Sequence, residues 1–473
     1  MGLIQIGASI LTALLIGALT RGMLRTYLLL ASSVLAVYWF QPALPLRSID
    51  FWLPSLSLAL TVLTWSVTSQ SGEWRLRPNL AGLSIIVGLA TVIDLSRYFL
   101  PEPVLTATTP PQLFLYFAFL LLVGIALALF GWISRRSSWT ITGTIILLIV
   151  ILVVLKTPAF SLQTSIFVRT LANRPIENAA FTDLRWLGFS YLAFRLIHAL
   201  RDKQMGRLPE LSLPEFATYV VFFPALAAGP IDRAERFTQD LRRDFSLTQA
   251  ETLLAGQRIF LGLFKKFVIA DTLALIALND ALAAQVRTTV WMWIIVYAYT
   301  FQIYFDFSGY TDIAIGIARL VGIQLPENFA APYLKTNLTQ FWNSWHMSLT
   351  QWFRSYFFNP VNRWMRGLKT MPAWMMILIG QIATMLLIGL WHGITLNFIL
   401  WGLWHGIGLF LQNRWSEFIR LRYPAARPAN PLQPALSIGG ILLTFHFVAL
   451  GWVFFALSQP ALSWQVFRKL FGM

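Results

Sequence analysis

Apolar stretches long enough to cross a bilayer recur along the whole chain, separated by short polar turns. They run over Leu3 to Thr20, Leu24 to Phe40, Phe51 to Ser69, Leu80 to Leu100, Gln112 to Ile133, Trp139 to Leu155, Trp186 to Leu200, Val290 to Phe305, Trp374 to Leu390, Leu396 to Leu411 and Leu436 to Leu457. About 20 helical residues cover the hydrocarbon core of a membrane. The pattern therefore predicts an all-α polytopic membrane protein with ten or more spans. No repeat period, low-complexity tract or polar segment of soluble-domain size interrupts it, which predicts one integral membrane domain over residues 1–473.

Three stretches break the pattern. "FFPALAAGPIDRAERF" (222–237) places Pro224, Gly229 and Pro230 in or beside an apolar run. Proline removes a backbone donor, and glycine weakens a helix. Broken backbone at membrane depth survives only inside protein or along a wet cavity, so a re-entrant or half-spanning segment is expected. In "YFDFSGYTDIAIGIARLVGIQLPENFAAPYL" (304–334), Asp306, Ser308, Asp312 and Glu327 interrupt apolar sequence at the end of a span. Such ionisable groups usually face a cavity or a partner; Asp306 either lines a cavity or pairs with a base such as Arg319. "TQFWNSWHMSLTQWFRSYFFNPV" (339–361) mixes Trp342, Trp345, Trp352, Phe353 and Tyr356 with Asn343, His346, Gln351 and Arg354. It is too polar to span and reads as an amphipathic interfacial helix.

Composition narrows the chemistry. Only 12% of residues are charged, against 57% hydrophobic, far below the charged share of soluble domains. The net charge of +16 lies in short loops, where the positive-inside rule accounts for it without a nucleic-acid partner. Arg75 and Arg77, then Arg135 and Arg136, then Arg201 to Arg207 alternate with the Lys- and Arg-free loop Pro101 to Pro111 and with Pro158 to Asp183, although Arg169 and Arg174 break the rule in the latter. Arg354 to Lys369 and Arg414 to Arg427 flank one hairpin and are both expected on the cytoplasmic side. No Lys or Arg precedes Arg21, so the basic region of a cleaved signal peptide is lacking and the first span is expected to be retained. The absence of cysteine excludes disulfides, thiolate metal sites and a cysteine nucleophile.

Five histidines remain as candidates. His198 reads as a solvated interfacial residue, and His446 as a hydrogen-bonding residue inside the last long span. The pentapeptide Gly-Leu-Trp-His-Gly occurs twice, with His392 and His405. On one straight helix these would stand roughly 20 Å and 220° apart and could share no site. The glycines, Thr395 and Asn397 instead predict a break after His392 and a new span near Leu396, which puts His392 at a helix end and His405 inside a helix. A histidine at a broken end can point into a cavity, whereas one in mid-helix is more often a satisfied packing residue, so His392 is the candidate base. No pair has zinc-helix spacing. A neutral imidazole suits a general base, with His346 or Asn343 donating to a developing oxyanion. Ser344 and Ser348 lie at i±2 from His346, on other helix faces.

The ordered motifs "FFPALAAGPIDR" (222–233), "GLFKKFVIAD" (262–271), "FQIYFDFSGYTDIAIGIARLVGIQLPENFAAPY" (301–333), "FWNSWHMSLTQWFRSYFFNPV" (341–361) and "GLWHG" (389–393) resemble the membrane-bound O-acyltransferase family. The likeness is to its bacterial branch of alginate O-acetylases and D-alanyl transfer proteins, from about Phe189 to the mid-400s. It implies a ring of about 11–13 transmembrane, re-entrant and interfacial helices around a central tunnel, with 1–185 as variable amino-terminal helices and 186–457 as the catalytic core. The family's two characteristic histidines map onto His346 and His392, the latter as the catalytic one. By the same resemblance Asn343, Asp306, Trp391 and Trp345 support the site or line the tunnel, and Lys265, Lys266, Arg354 and Arg363 attract the donor. No bound cofactor or metal is implied. The co-substrate is an acyl thioester, acetyl coenzyme A or an acyl carrier. The acceptor is a hydroxyl of an exported polysaccharide or other cell-envelope polymer, in the bacterial inner membrane, with membrane lipid and a carrier protein or periplasmic acetyltransferase as partners. "FWNSWHMSL" is nearer the D-alanyl branch and "FILWGLWHG" nearer the polysaccharide acetylases, which leaves both substrates open. Two rivals remain: a secondary transporter, against which the absence of paired broken segments in two halves counts, and a silent scaffold or acyl relay, against which retention of His346 and His392 counts.

Overall fold

The computed structural model describes residues 2–70, 73–134, 139–368, 371–422 and 433–473. Arg135 and Arg136, and the ends of the basic stretches at Lys369 and Arg427, lie outside the described residues. Among the described residues all regular structure is helical, and each apolar run lies in a helix. Among the described residues, seven helices are long and apolar enough to cross a membrane: Gly22–Trp39, Ile49–Thr68, Arg77–Phe99, Leu113–Gly131, Trp139–Lys156, Ala373–His392 and Pro434–Ala456. The chain is a multi-pass membrane protein. The helix after Trp186 departs from the simple pattern. Phe189–Gln204 is buried along most of its length, and the guanidinium of its Arg195 donates to the carbonyls of Val220 and Ala225 at 2.8 Å each.

The fold divides into two compact units, residues 1–259 with 313–326, and residues 260–312 with 327–473. These boundaries fall inside the stretch 186–457. In the first unit, the proline-rich segment is interrupted as expected. The nine-residue helix Leu213–Val221 is wholly buried, a single 3-10 turn Phe223–Ala225 follows, and regular helix resumes only at Ala234–Arg242. Its loose ends are met by protein. Glu215 closes a capping box with Ser212 and takes Arg242 at 2.7 Å, while the buried Arg25 donates to the carbonyls of Asp240, Leu241 and Arg243 at the end of the next helix. The accumulated hydrogen bonds of the carboxylate hold Glu215 below its ordinary pKa despite the opposing effect of burial.

Two expectations are corrected here. Asp306, Ser308 and Asp312 do not break the helix, because Thr289–Leu320 runs unbroken for 32 residues, whereas Glu327 lies in the irregular stretch that follows it. Asp306 and Asp312 are accommodated by side chains of a neighbouring helix, Lys266 and Lys265, and Arg319 pairs with Glu251 instead of with Asp306. Paired charges no longer require the backbone to open. The stretch 339–361 is not one interfacial helix either. It consists of Leu338–Trp342, a sharp turn, Met347–Phe353 and a π-helical turn Arg354–Phe358, and Phe341, Trp342, Trp345, Leu349 and Phe353 are buried. Its aromatics pack on Tyr333, Trp401 and Trp452 of the same unit, and that burial overrides the amphipathic reading.

The second unit is built around a helical hairpin. Ala373–His392 stops, and Leu396–Arg422 starts after three intervening residues, as the glycines and polar residues around the linker predict. The two arms lie backbone to backbone. A Cβ on Gly389 would stand 2.3 Å from the Phe398 carbonyl oxygen, one on Gly402 2.8 Å from that of Met385, and one on Gly406 2.9 Å from the Cα of Ile382. Small residues four apart allow this close approach in membranes, so the glycines recur in both pentapeptides partly for packing. Replacing Gly402 with leucine forces the arms apart at a cost of about 1–3 kcal/mol. The Gly402→Leu protein is expected to melt several degrees below the wild type in detergent, and an unchanged melting temperature would contradict the packing role.

Candidate active site

His392 is the last residue of its helix, and the extended Gly393 ends the turn, with its N–H on the Gly389 carbonyl at 3.3 Å. The restart is anchored by Asn397, which donates to the Leu457 carbonyl at 2.6 Å. The His392 imidazole is half-buried inside an aromatic collar. Ring centroids of Trp391, Phe455, Phe398 and Trp401 lie at 4.5, 4.7, 5.9 and 5.9 Å. A ring held on several sides, yet partly open, is oriented without being sealed off.

His346 is placed by backbone strain. It has φ 41° and ψ 54°, a left-handed conformation costly for a residue with a Cβ. The surrounding chain enforces it. The Asn328 carbonyl accepts from the Met347 N–H at 3.0 Å, the Asn328 side-chain oxygen accepts from the Ser348 N–H at 3.1 Å, and the Ala330 N–H donates to the Ser344 carbonyl at 3.0 Å. His346 is 3% exposed, with Phe307 edge-on at 4.7 Å. Burial lowers its pKa from the ordinary imidazole value to about 3, so it is neutral at physiological pH. Trp391 joins the two histidines, with its ring 6.3 Å from that of His346 and 4.5 Å from that of His392. The two motifs thus meet in one aromatic cluster.

The other sequence candidates are spread around this pair. Trp345 is buried among Phe329, Tyr333 and Trp452. Asn343 is exposed, and its side-chain oxygen accepts from Arg354 at 2.5 Å, which leaves the amide N–H2 to donate. Asp306 is held by Lys266, and Lys265 pairs with Asp312 at 2.7 Å. The adjacent lysines stand on a π-helical turn, Phe264–Ala270, pressed against Gly309, where a Cβ would meet the Lys266 N at 2.8 Å. Each of Lys265, Lys266 and Arg354 therefore has a partner within the chain, and Arg363 is exposed. No group of three or more histidine, aspartate or glutamate side chains suited to a metal occurs among the described residues.

The remaining histidines divide. His446 receives the Tyr297 hydroxyl at 2.8 Å, the helix-to-helix hydrogen bond expected of it. His198 is not solvated. It is 2% exposed and contacts Asp202 at 2.8 Å, one turn along its own helix, because that helix lies in the protein core. Sequence reading missed Asn328, Phe398, Trp401 and Phe455. The signal for Asn328 is its polar side chain beside the apolar residues 329–331, and the charge of the adjacent Glu327 masks it.

A family model described as MBOAT, membrane-bound O-acyltransferase family, matches residues 135–456, starting well before the first motif at 222. The chain is 33% identical over 277 residues to the teichoic acid D-alanyltransferase of Bacillus subtilis, covering 58% of this chain and 69% of that protein. It is 35% identical over 292 residues to the probable alginate O-acetylase AlgI of Azotobacter vinelandii (60% and 54%) and 34% identical over 263 residues to the peptidoglycan O-acetyltransferase of Helicobacter pylori (55% and 47%).

The Asn328 bonds generate a structural prediction. Asn328→Ala removes the side-chain acceptor of the Ser348 amide, a loss of about 1–3 kcal/mol for a buried group. Hydrogen–deuterium exchange is expected to rise in peptides covering 344–350 and to stay unchanged in those covering 396–411. Equal exchange in the variant and the wild type would remove Asn328 from the account of His346.

Proposed function

The chain belongs to the membrane-bound O-acyltransferase family and is an O-acyltransferase, and on that premise we propose that it moves an acyl group, acetyl in the first instance, from a cytoplasmic thioester to a hydroxyl of an exported cell-envelope polysaccharide. His392 is the general base. The observation that carries this reading is the position of His392, half-open at a helix break and joined through Trp391 to the buried His346.

The chemistry needs few groups. His392 takes the proton of the acceptor hydroxyl as its oxygen attacks the thioester carbonyl. The tetrahedral oxyanion receives an N–H from neutral His346 or from the free amide of Asn343. The C–S bond then breaks, and the leaving thiolate recovers the proton from the His392 imidazolium, which returns the base to its starting form. The aromatic collar limits water around the thioester, whose hydrolysis would waste the donor. Arg354, whose partner Asn343 is neutral, contributes positive potential toward a phosphate-bearing or acidic donor, and Lys265 and Lys266, largely offset by Asp312 and Asp306, contribute N–H donors.

The inner membrane of a bacterium is the location this reading requires, since the thioester is cytoplasmic and the polymer exported. A second reading, D-alanyl transfer from a carrier protein to an envelope polymer, is favoured by the likeness to teichoic acid D-alanyltransferases, proteins of Bacillus subtilis and Streptococcus thermophilus. A periplasmic acetyltransferase partner goes with the first reading, and a carrier protein and its ligase with the second.

Transfer of label from acetyl coenzyme A to envelope polysaccharide in membranes tests the assignment. His392→Ala is expected to abolish transfer while remaining inserted and monodisperse, and His346→Ala to lower the rate roughly a hundredfold. Full activity of His392→Ala would defeat the proposal. Label from a D-alanyl carrier but none from acetyl coenzyme A would transfer it to the second reading.

A further inference from the structure

The second pentapeptide is left without a role by the chemistry above, yet its histidine is the most enclosed in the second unit. His405 is 0% exposed, and neither ring nitrogen has a hydrogen-bond partner among the described residues. It is therefore not the hydrogen-bonded packing residue expected of a mid-helix histidine. Its neighbours are rings, with Trp401 at 5.0 Å, Trp342 at 5.3 Å edge-on and Phe447 at 5.7 Å edge-on.

Two of these rings lead to the reaction centre. Trp401, one turn before His405 on the same helix, forms a wall of the His392 collar at 5.9 Å. Trp342, four residues before His346 at the end of the preceding helix, meets Trp401 at 5.8 Å. His405 thus sits where the segment carrying His346 meets the helix that follows His392. The fourth side is closed by Gly451, where even a Cβ would stand 2.8 Å from the His405 Nε2. Aromatic rings in contact prefer particular mutual orientations, and His405 touches Trp401 directly and Trp342 edge-on, so a change at His405 reaches Trp401 directly and His392 one contact later.

We infer that His405 is a positioning residue for acyl transfer: its imidazole packs against both Trp342 and Trp401, which meet each other beside it, and so sets the indole wall against which His392 is aimed. The inference rests on the reading of His392 as the base. It assigns His405 no proton transfer and no contact with substrate.

The test measures kcat and donor KM, per amount of monodisperse protein, for wild type, His392→Ala, His405→Ala, His405→Gln and Trp401→Phe. Glutamine fills much of the same space without a basic ring. The expected result is a fall in kcat of about tenfold or more for His405→Ala with donor KM within about twofold, and kcat within about threefold of wild type for His405→Gln. A purely structural role would lower the yield of folded protein and leave its kcat intact. Wild-type kcat in His405→Ala overturns the inference. So does a His405→Gln enzyme as inactive as His392→Ala, which would give the His405 nitrogens a chemical role. Should His405→Ala fail to fold, Trp401→Phe decides in its place, with the same fall in kcat at constant KM expected and an unchanged kcat overturning the inference. Activity in His392→Ala would be a separate failure, that of the base assignment.

Discussion

Backbone amides and carbonyls cannot be left open in hydrocarbon, and that constraint accounts for four places where this chain departs from a helix. Each of the four is closed by protein atoms. Arg195 takes the carbonyls of the broken proline segment, Arg25 those at the end of Ala234–Arg242, Asn328 the amides after His346, and Asn397 a carbonyl at the end of the next helix. The two histidines with chemical promise stand at two of these departures. His392 follows from a helix that must stop, and His346 from a turn that must adopt a left-handed residue. The irregular backbone and the candidate site are thus parts of one solution.

The same economy explains why an apolar protein can hold charge in its helices. Lys265 and Lys266 are consecutive, which an ordinary α-helix would splay by about 100°. The π-helical turn at Phe264–Ala270 and the missing side chain of Gly309 bring both onto Asp312 and Asp306. These pairs keep Thr289–Leu320 continuous, and that helix delivers Phe307 to His346.

What the sequence made legible followed from local rules. Apolar runs marked the helices, glycines with Thr395 and Asn397 marked the break before Leu396, and the isolated His446 behaved as a hydrogen-bonding residue in a span. The order of motifs identified the family that the match over 135–456 establishes. What stayed hidden depended on partners far away in sequence. Asp306 reads as a disruption until Lys266 is seen 40 residues earlier, the aromatic segment after Thr339 reads as interfacial until Trp401 and Trp452 cover it, and His198 reads as solvated until its helix is found in the core. Apart from Trp391, the His392 collar could not be read, because Phe398 and Phe455 have no polar or periodic signature.

The central claim, that the base is the half-open His392 and not one of the buried imidazoles, is tested most directly by acylating the histidines of the wild-type protein with diethyl pyrocarbonate and mapping modification by mass spectrometry against residual activity. The account predicts that activity falls in step with modification of His392, that an unreactive thioester analogue protects both, and that His346 and His405 stay unmodified while the fold is intact. Undiminished transfer by protein fully modified at His392 would contradict it.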